Sequence, residues 1–252
     1  MERNILKCVE SIDDFSIDEF NKLNIGVEIQ DFTEPNLTNE QINEVVNRYK
    51  KMFKDFKHTK ALHGPFLDLK PSSPDLDIRR VSFNKYLRTM KIAIELDVDY
   101  VIFHSKIIPW LNEPSIVKLN YLQTREFWES LLMEVDDFKG NIVLENVFEK
   151  TPEMLKELIS VIDIPKIKVN LDIGHARLGT ASLEKWIKEL KDYLVYIHLH
   201  SNDGLYDLHS EPSEFQINAI NSLLNKYNLN PVISLEYKSN NIEKHINTIR
   251  NF

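Results

Sequence analysis

Short β-rich runs alternate with longer amphipathic segments along almost the whole chain. The runs fall near 4–9, 25–30, 59–63, 99–104, 141–145, 166–172, 193–200 and 231–236. Helical patterns fill the intervals at 39–57, 76–97, 115–138, 151–162, 181–191, 213–228 and 240–251, with a short helix at 17–23. Eight strand–helix units in 252 residues predict an α/β protein, a closed (β/α)8 TIM barrel, as one domain spanning 1–252. An open doubly wound sheet is the structural rival. It would more often carry a Gly-rich phosphate loop after an early strand, and this chain has none. Helix starts are marked as well: Thr151-Pro152-Glu153 offers an N-cap, a first-turn proline and an acidic first turn, and Ser182 and Ser213 offer weaker versions. Trp186, Ile187 and Leu190 form one buried helical face.

At 42% hydrophobic and 28% charged, the chain can bury one large core. The opening Met1-Glu2-Arg3-Asn4 is polar with no apolar run behind it, which predicts no signal peptide. No window approaches the ~18 apolar residues of a membrane span. Cys8 is the single cysteine, so an internal disulfide and a thiolate cluster are excluded. The expected location is the cytoplasm. A net charge of −8 disfavours nucleic acid, because phosphate contacts need clustered Lys and Arg.

The residues at the ends of the runs point to chemistry. His63 ends the third run, His104 the fourth, Glu145 the fifth and Asp172 the sixth, with His175 close behind. His198 and His200 end the seventh, Asp207 and His209 follow in its loop, and Glu236 ends the eighth. Six successive strands thus place a metal-binding type of side chain at their C-terminal ends. In a parallel barrel those ends share one rim, where such barrels carry their chemistry. Gly174 is expected to let the backbone turn sharply enough to aim Asp172 and His175 inward. Taken singly, each of these residues has an ordinary structural explanation as a core histidine, a cap or a solvated carboxylate. Their joint placement does not, because chance would scatter them over both strand ends and the helices.

Other residues read less sharply. His58 and His245 look structural. Glu28, ending the second run, fits a structural salt bridge as well as it fits a barrel-facing group. Phe66, Trp110 and Tyr206 follow rim strands, where they can line a pocket or anchor a loop. His198 and His200 share a face by strand alternation, so one can bind metal while the other meets substrate. Imidazole mixed with carboxylate suits Zn²⁺, Mn²⁺ or Fe²⁺ rather than Ca²⁺. Glu145, Asp172, Asp207 and Glu236 bring four negative charges. One divalent ion leaves two in excess, two ions balance them, and three leave a site suited to an anionic phosphate.

The segments "LDIGHA", "HLHSNDG" followed by "DLH", and the lone Glu of "VLEN" resemble those of the xylose isomerase-like barrels. That superfamily includes sugar and sugar-phosphate isomerases and epimerases, and the endonuclease IV branch (AP endonuclease family 2). The resemblance covers essentially the whole chain. In the isomerase branch it implies one Mn²⁺-type ion held by Glu145, Asp172, His198 and Glu236, with both glutamates doubling as acid–base groups and His175 binding substrate. In the endonuclease branch it implies three Zn²⁺ ions held by His63, His104, Glu145, Asp172, His175, His198, Asp207, His209 and Glu236. The chain departs from the endonuclease pattern in two places. Ser105-Lys106-Ile107 stands where Pro-Gly-Ser follows the second histidine, and "HSEPSEF" replaces a Gly-x-Gly stretch. The loops are short and the chain has eight arginines, a poor basis for gripping and bending duplex DNA.

The leading expectation is a metal-dependent isomerase or epimerase of a small sugar, sugar phosphate or polyol, using one to three Zn or Mn ions. Glu145 and Glu236 would move the proton through an enediolate, His175 would orient a hydroxyl, and His200, Phe66 and Trp110 would contact substrate. The alternative is a zinc phosphoesterase of the endonuclease type, acting on DNA or a smaller phosphodiester. A non-catalytic barrel that keeps its ions is the third reading.

Overall fold

The computed structural model describes residues 3–251. Its strands are β1 (Ile5–Val9), β2 (Gly26–Ile29), β3 (Lys60–His63), β4 (Tyr100–His104), β5 (Asn141–Glu145), β6 (Ile167–Asp172), β7 (Leu194–Leu199) and β8 (Val232–Leu235). Each pairs in parallel with the next, and β1 pairs with β8, so the sheet closes into the expected barrel. The helices are α1 (Ile17–Leu23), α2 (Asn39–Met52), α3 (Leu76–Leu96), α4 (Pro114–Met133), α5 (Glu153–Ile162), α6 (Ile173–Arg177), α7 (Leu183–Leu190), α8 (Glu214–Lys226) and α9 (Ile242–Arg250). Among the described residues no helix is long and apolar enough to cross a membrane.

Period-two alternation explains how the barrel positions a site. Successive side chains on a strand point to opposite faces, so residues two apart share one. Outward-facing residues such as Val101, Phe103, Ile142 and Leu144 pack beneath the helices in the larger apolar core. Inward-facing Leu6, Ala61, Ile102, Val143, Tyr196 and Val232 form a separate layer that plugs the barrel. Two residues further along the same strands come Cys8, His63, His104, Glu145, His198 and Ser234. The apolar plug is thus the floor of the polar layer. One adjustment keeps the rim in phase: between Val169 and Asn170 the β6–β7 register slips by one residue, passing over Val195. Beyond the slip Asp172 lies level with His198, as His104 lies level with Glu145.

Helix boundaries differ from expectation mainly at the ends. The segment expected over 39–57 stops at Met52, and that over 115–138 stops at Met133. Thr38 and Ser213 form capping boxes with Gln41 and Gln216, and Ser182 accepts from the Lys185 N–H. The start at Thr151-Pro152 is corrected: Pro152 itself occupies the cap, with no side-chain bond, and the helix opens at Glu153. Helix α6 was not expected at all. Asp172 caps it by accepting from the His175 N–H at 2.7 Å. Gly174 therefore lies inside a helical turn rather than at a sharp bend. It is small for another reason: a Cβ there would sit 1.9 Å from the His200 ring.

Candidate metal centre

The inward layer brings the rim residues into one cluster around Glu145, which is 1% exposed. One Glu145 oxygen lies 3.1 Å from His198 Nδ1 and 3.6 Å from His63 Nε2. The other lies 3.3 Å from His175 Nδ1 and 3.8 Å from His104 Nε2. Glu236 reaches the same His198 Nδ1 at 3.0 Å, and Asp172 approaches it to 3.7 Å. None of the contacts to His198 Nδ1 has hydrogen-bond geometry: that nitrogen and Glu236 Oε2 are both buried without a hydrogen-bond partner. On the outer side, Asp207 meets His175 at 3.0 Å and His209 at 3.1 Å. His200 Nε2 lies 3.0 Å from Asp172, and its ring stacks on His209 with centroids 4.1 Å apart.

The supporting groups fix this arrangement. Glu28 is fully buried, with both carboxylate oxygens 3.1 Å from His198 Nε2, and it accepts from the Tyr196 hydroxyl at 2.7 Å. A partner on Nε2 leaves Nδ1 directed at the carboxylates. Asn170 donates to Glu145 at 3.0 Å, and Gln30 donates to Glu236 Oε1 at 2.8 Å. The Asn146 carbonyl lies 2.9 Å from His175 Nδ1, and its amide binds the Asp172 backbone. Sequence reasoning left Glu28 undecided and did not single out Gln30, Asn146 or Asn170. Glu28 carried a readable signal, since it sits two residues after Gly26 on the inward face.

Electrostatics set the buried carboxylates against the imidazoles. Burial alone would raise the Glu145 carboxyl, yet the His198 and His104 imidazoles hold it well below the usual carboxylate range. Asp172 is likewise lowered despite burial, chiefly by His175 and His200. Burial pushes the other way on His175, but Asp172, Asp207 and Glu145 lift it to about 12. Asp207 lifts His209 to about 9, while burial drops His104 to about 3. In the metal-free chain, protons on imidazoles thus do the neutralising. Divalent ions would do it with more charge per site. His63, Glu145 and His198 offer one compact donor set, Glu145, Asp172 and His175 a second, and His175, His200, Asp207 and His209 a third. The mixed imidazole–carboxylate chemistry and the partnerless His198 Nδ1 both fit a transition ion.

All nine residues expected as ligands lie together at one rim. The three residues expected to touch substrate are placed differently from one another. Phe66 lines the cavity above the cluster and stacks on His104 with centroids 4.6 Å apart. His200 lies buried behind Asp172 and does not line the cavity; Trp110 is 70% exposed and does not line it either. Trp110 instead lies beside Phe148, with centroids 6.4 Å apart, and Tyr206 is also exposed. His245 is structural, bonded to the Tyr237 hydroxyl at 2.8 Å.

A family model described as xylose isomerase-like TIM barrel matches residues 25–251. The chain belongs to this family. A relative of this xylose isomerase-like barrel, the uncharacterized protein MJ1311 of Methanocaldococcus jannaschii, is 31% identical over 193 residues, which is 71% of this chain. The chain spans 64% of that relative's length. Among solved structures, a D-tagatose 3-epimerase-like protein superposes with a TM-score of 0.75 at 22% identity, covering 100% of this chain and 99% of the other. The TTHB071 protein of Thermus thermophilus, from a crystal soaked with ZnCl2, gives 0.74 at 21% identity, covering 95% and 93%. An L-ribulose 3-epimerase gives 0.69 at 15% identity, covering 97% and 86%. At these identities the likeness is one of fold.

Proposed function

We propose that this xylose isomerase-like barrel is a divalent-metal-dependent isomerase or epimerase of a small sugar, sugar phosphate or polyol. The observation that carries the reading is the meeting of Glu145, Glu236 and Asp172 around the partnerless His198 Nδ1, at the floor of an open cavity. Sugar epimerases among the proteins sharing the fold support the substrate class. A divalent ion held by these four residues would supply Lewis-acid polarisation of a carbonyl and orient adjacent hydroxyls.

The residues themselves divide the remaining work. Glu145 and Glu236 both face the cavity. One carboxylate takes the proton from the carbon beside the carbonyl, and the released electron pair moves into the C–C–O system. The other returns a proton, to the opposite face for epimerisation or to the neighbouring carbon for isomerisation, in which a hydroxyl proton also passes from one of the two oxygens to the other. Gln30 pins Glu236 Oε1 and leaves Oε2 directed at His198 Nδ1. His175 lies at the cavity wall and donates to a substrate hydroxyl. His200 braces Asp172 from behind, and Phe66 forms an apolar wall.

Deuterium wash-in from D₂O into a panel of aldoses and ketoses, with Mn²⁺ or Zn²⁺ present, tests this directly. Exchange is expected with at least one sugar, and Glu236→Gln should reduce it by ~10²–10⁴-fold while metal stays bound. No exchange across the panel would overturn the proposal. A second reading, the zinc phosphoesterase, is favoured by one specific observation: His63, His104, His175, Asp207 and His209 also converge, completing a nine-residue set. Three zinc ions per chain with phosphodiester hydrolysis would favour it; one ion with isotope exchange favours the isomerase.

A further inference from the structure

Large exposed apolar side chains are distributed very unevenly over this molecule. Among the described residues all but Leu122 and Met133 lie on loops after the C-terminal strand ends or in the first two turns of the helices that follow. They therefore crowd the rim that carries the metal-binding cluster. Phe66, Leu67, Ile78, Phe148 and Leu208 line one continuous cavity with Glu145, His175 and Glu236. Leu67 is 53% exposed and Phe148 is 62% exposed. The cavity volume is about 1440 Å³, above the ~300–1,000 Å³ of an ordinary small-molecule site. A free monosaccharide bound at the carboxylates would leave most of that space, and this apolar wall, in contact with water.

We propose that the substrate is a sugar or polyol bearing an alkyl or aryl substituent, and that the apolar part of the cavity lined by Phe66, Leu67, Ile78, Phe148 and Leu208 is the subsite for that substituent. The inference rests on the reading above for where the oxygen-rich end binds. Two features favour a substrate group over a second copy of the chain as the occupant. These side chains line the cavity, and the same cavity is lined by the groups that would do the chemistry. Burial of each methylene against such a wall contributes about 0.8 kcal/mol, so a chain of several carbons gives a large, readable difference in affinity.

The test uses the metal-loaded protein and two chelating probes that differ only in tail, acetohydroxamate and octanohydroxamate. Octanohydroxamate is expected to bind at least tenfold tighter. Leu67→Ser and Phe148→Ser, both at exposed positions, should each remove most of that gain while leaving acetohydroxamate affinity unchanged. Equal affinity for the two probes, or a gain untouched by either substitution, would overturn the proposal. So would sedimentation showing that the substitutions dissociate a dimer while the octanohydroxamate advantage persists, which would assign the wall to a second copy. If acetohydroxamate does not bind at all, the metal-centred reading fails separately. The subsite is then judged with octyl glucoside, below its micelle concentration, against glucose: a preference abolished by Phe148→Ser upholds it, and no preference sinks it.

Discussion

Glu28 shows how much of the site depends on a residue that need touch neither ion nor substrate. Its carboxylate holds His198 Nε2 and the Tyr196 hydroxyl in a fully buried corner, and burial is outweighed there by His198 and His63, which lower it to about 2. Replacing it by Gln keeps the size but removes the charge that fixes the ring. Metal affinity of Glu28→Gln, measured by chelator competition, should fall ~10–100-fold; unchanged affinity would refute the orienting role. The imidazoles give a second prediction. His175 at about 12 and His209 at about 9 are raised above the ordinary histidine value, so the metal-free protein carries both protons at neutral pH. In the three-ion reading, where both would be ligands, ion uptake would expel them, and a pH indicator in weak buffer should record proton release, with affinity rising as pH climbs through about 9. The stability linkage has the opposite sign. For His209 the stabilisation in the metal-free protein is complete below the unfolded value near 6.5 and is lost as pH rises through about 9. The nine candidate ligands were legible in the sequence because each ends a strand or follows one closely. Asn146, Asn170 and Gln30 were not, because amides are common in loops and nothing in their spacing distinguishes a supporting amide from a solvated one.

At the level of elements, the eight strands were legible because apolar runs of four to six residues bounded by polar turns have few other uses. Helix ends were less so: Phe53 and Phe138 continue the apolar pattern past the last helical turn, since they pack as loop residues. The turn α6 escaped notice because five residues are too few to show a period. It is nonetheless the element that presents His175. Gly174→Ala tests its packing. Alanine favours a helix by up to ~1 kcal/mol, but the new methyl meets the His200 ring at 1.9 Å, and overpacking of that kind costs about 1–3 kcal/mol. The clash should win. Denaturant unfolding is expected to show net destabilisation together with weakened metal binding, and the cost of Gly174→Ala should shrink when measured in a His200→Ala background. A stabilised Gly174→Ala protein would show that the ring moves aside freely.

At the scale of the whole molecule, the barrel divides its duties between its two ends. An apolar plug fills the interior below, while carboxylates and imidazoles are concentrated above, which is where much of the net charge of −8 becomes intelligible. Ions that bind only the folded chain stabilise it by mass action, about 4.1 kcal/mol at a thousandfold excess over Kd. For a protein of this size that corresponds to roughly 8–16 °C in melting temperature. Stripping with a chelator should lower Tm by that order, and Zn²⁺ or Mn²⁺ should restore it; a Tm indifferent to both would mean that the cluster is held by its protons alone. Barrel closure has a further consequence for biosynthesis. Glu236 arrives just after β8, the strand that must dock on β1 to complete the ring. A nascent chain still short of that segment lacks Glu236 and the closed ring that gathers the candidate donors, so any ion held by that full set would be captured only after the last strand has been translated and seated.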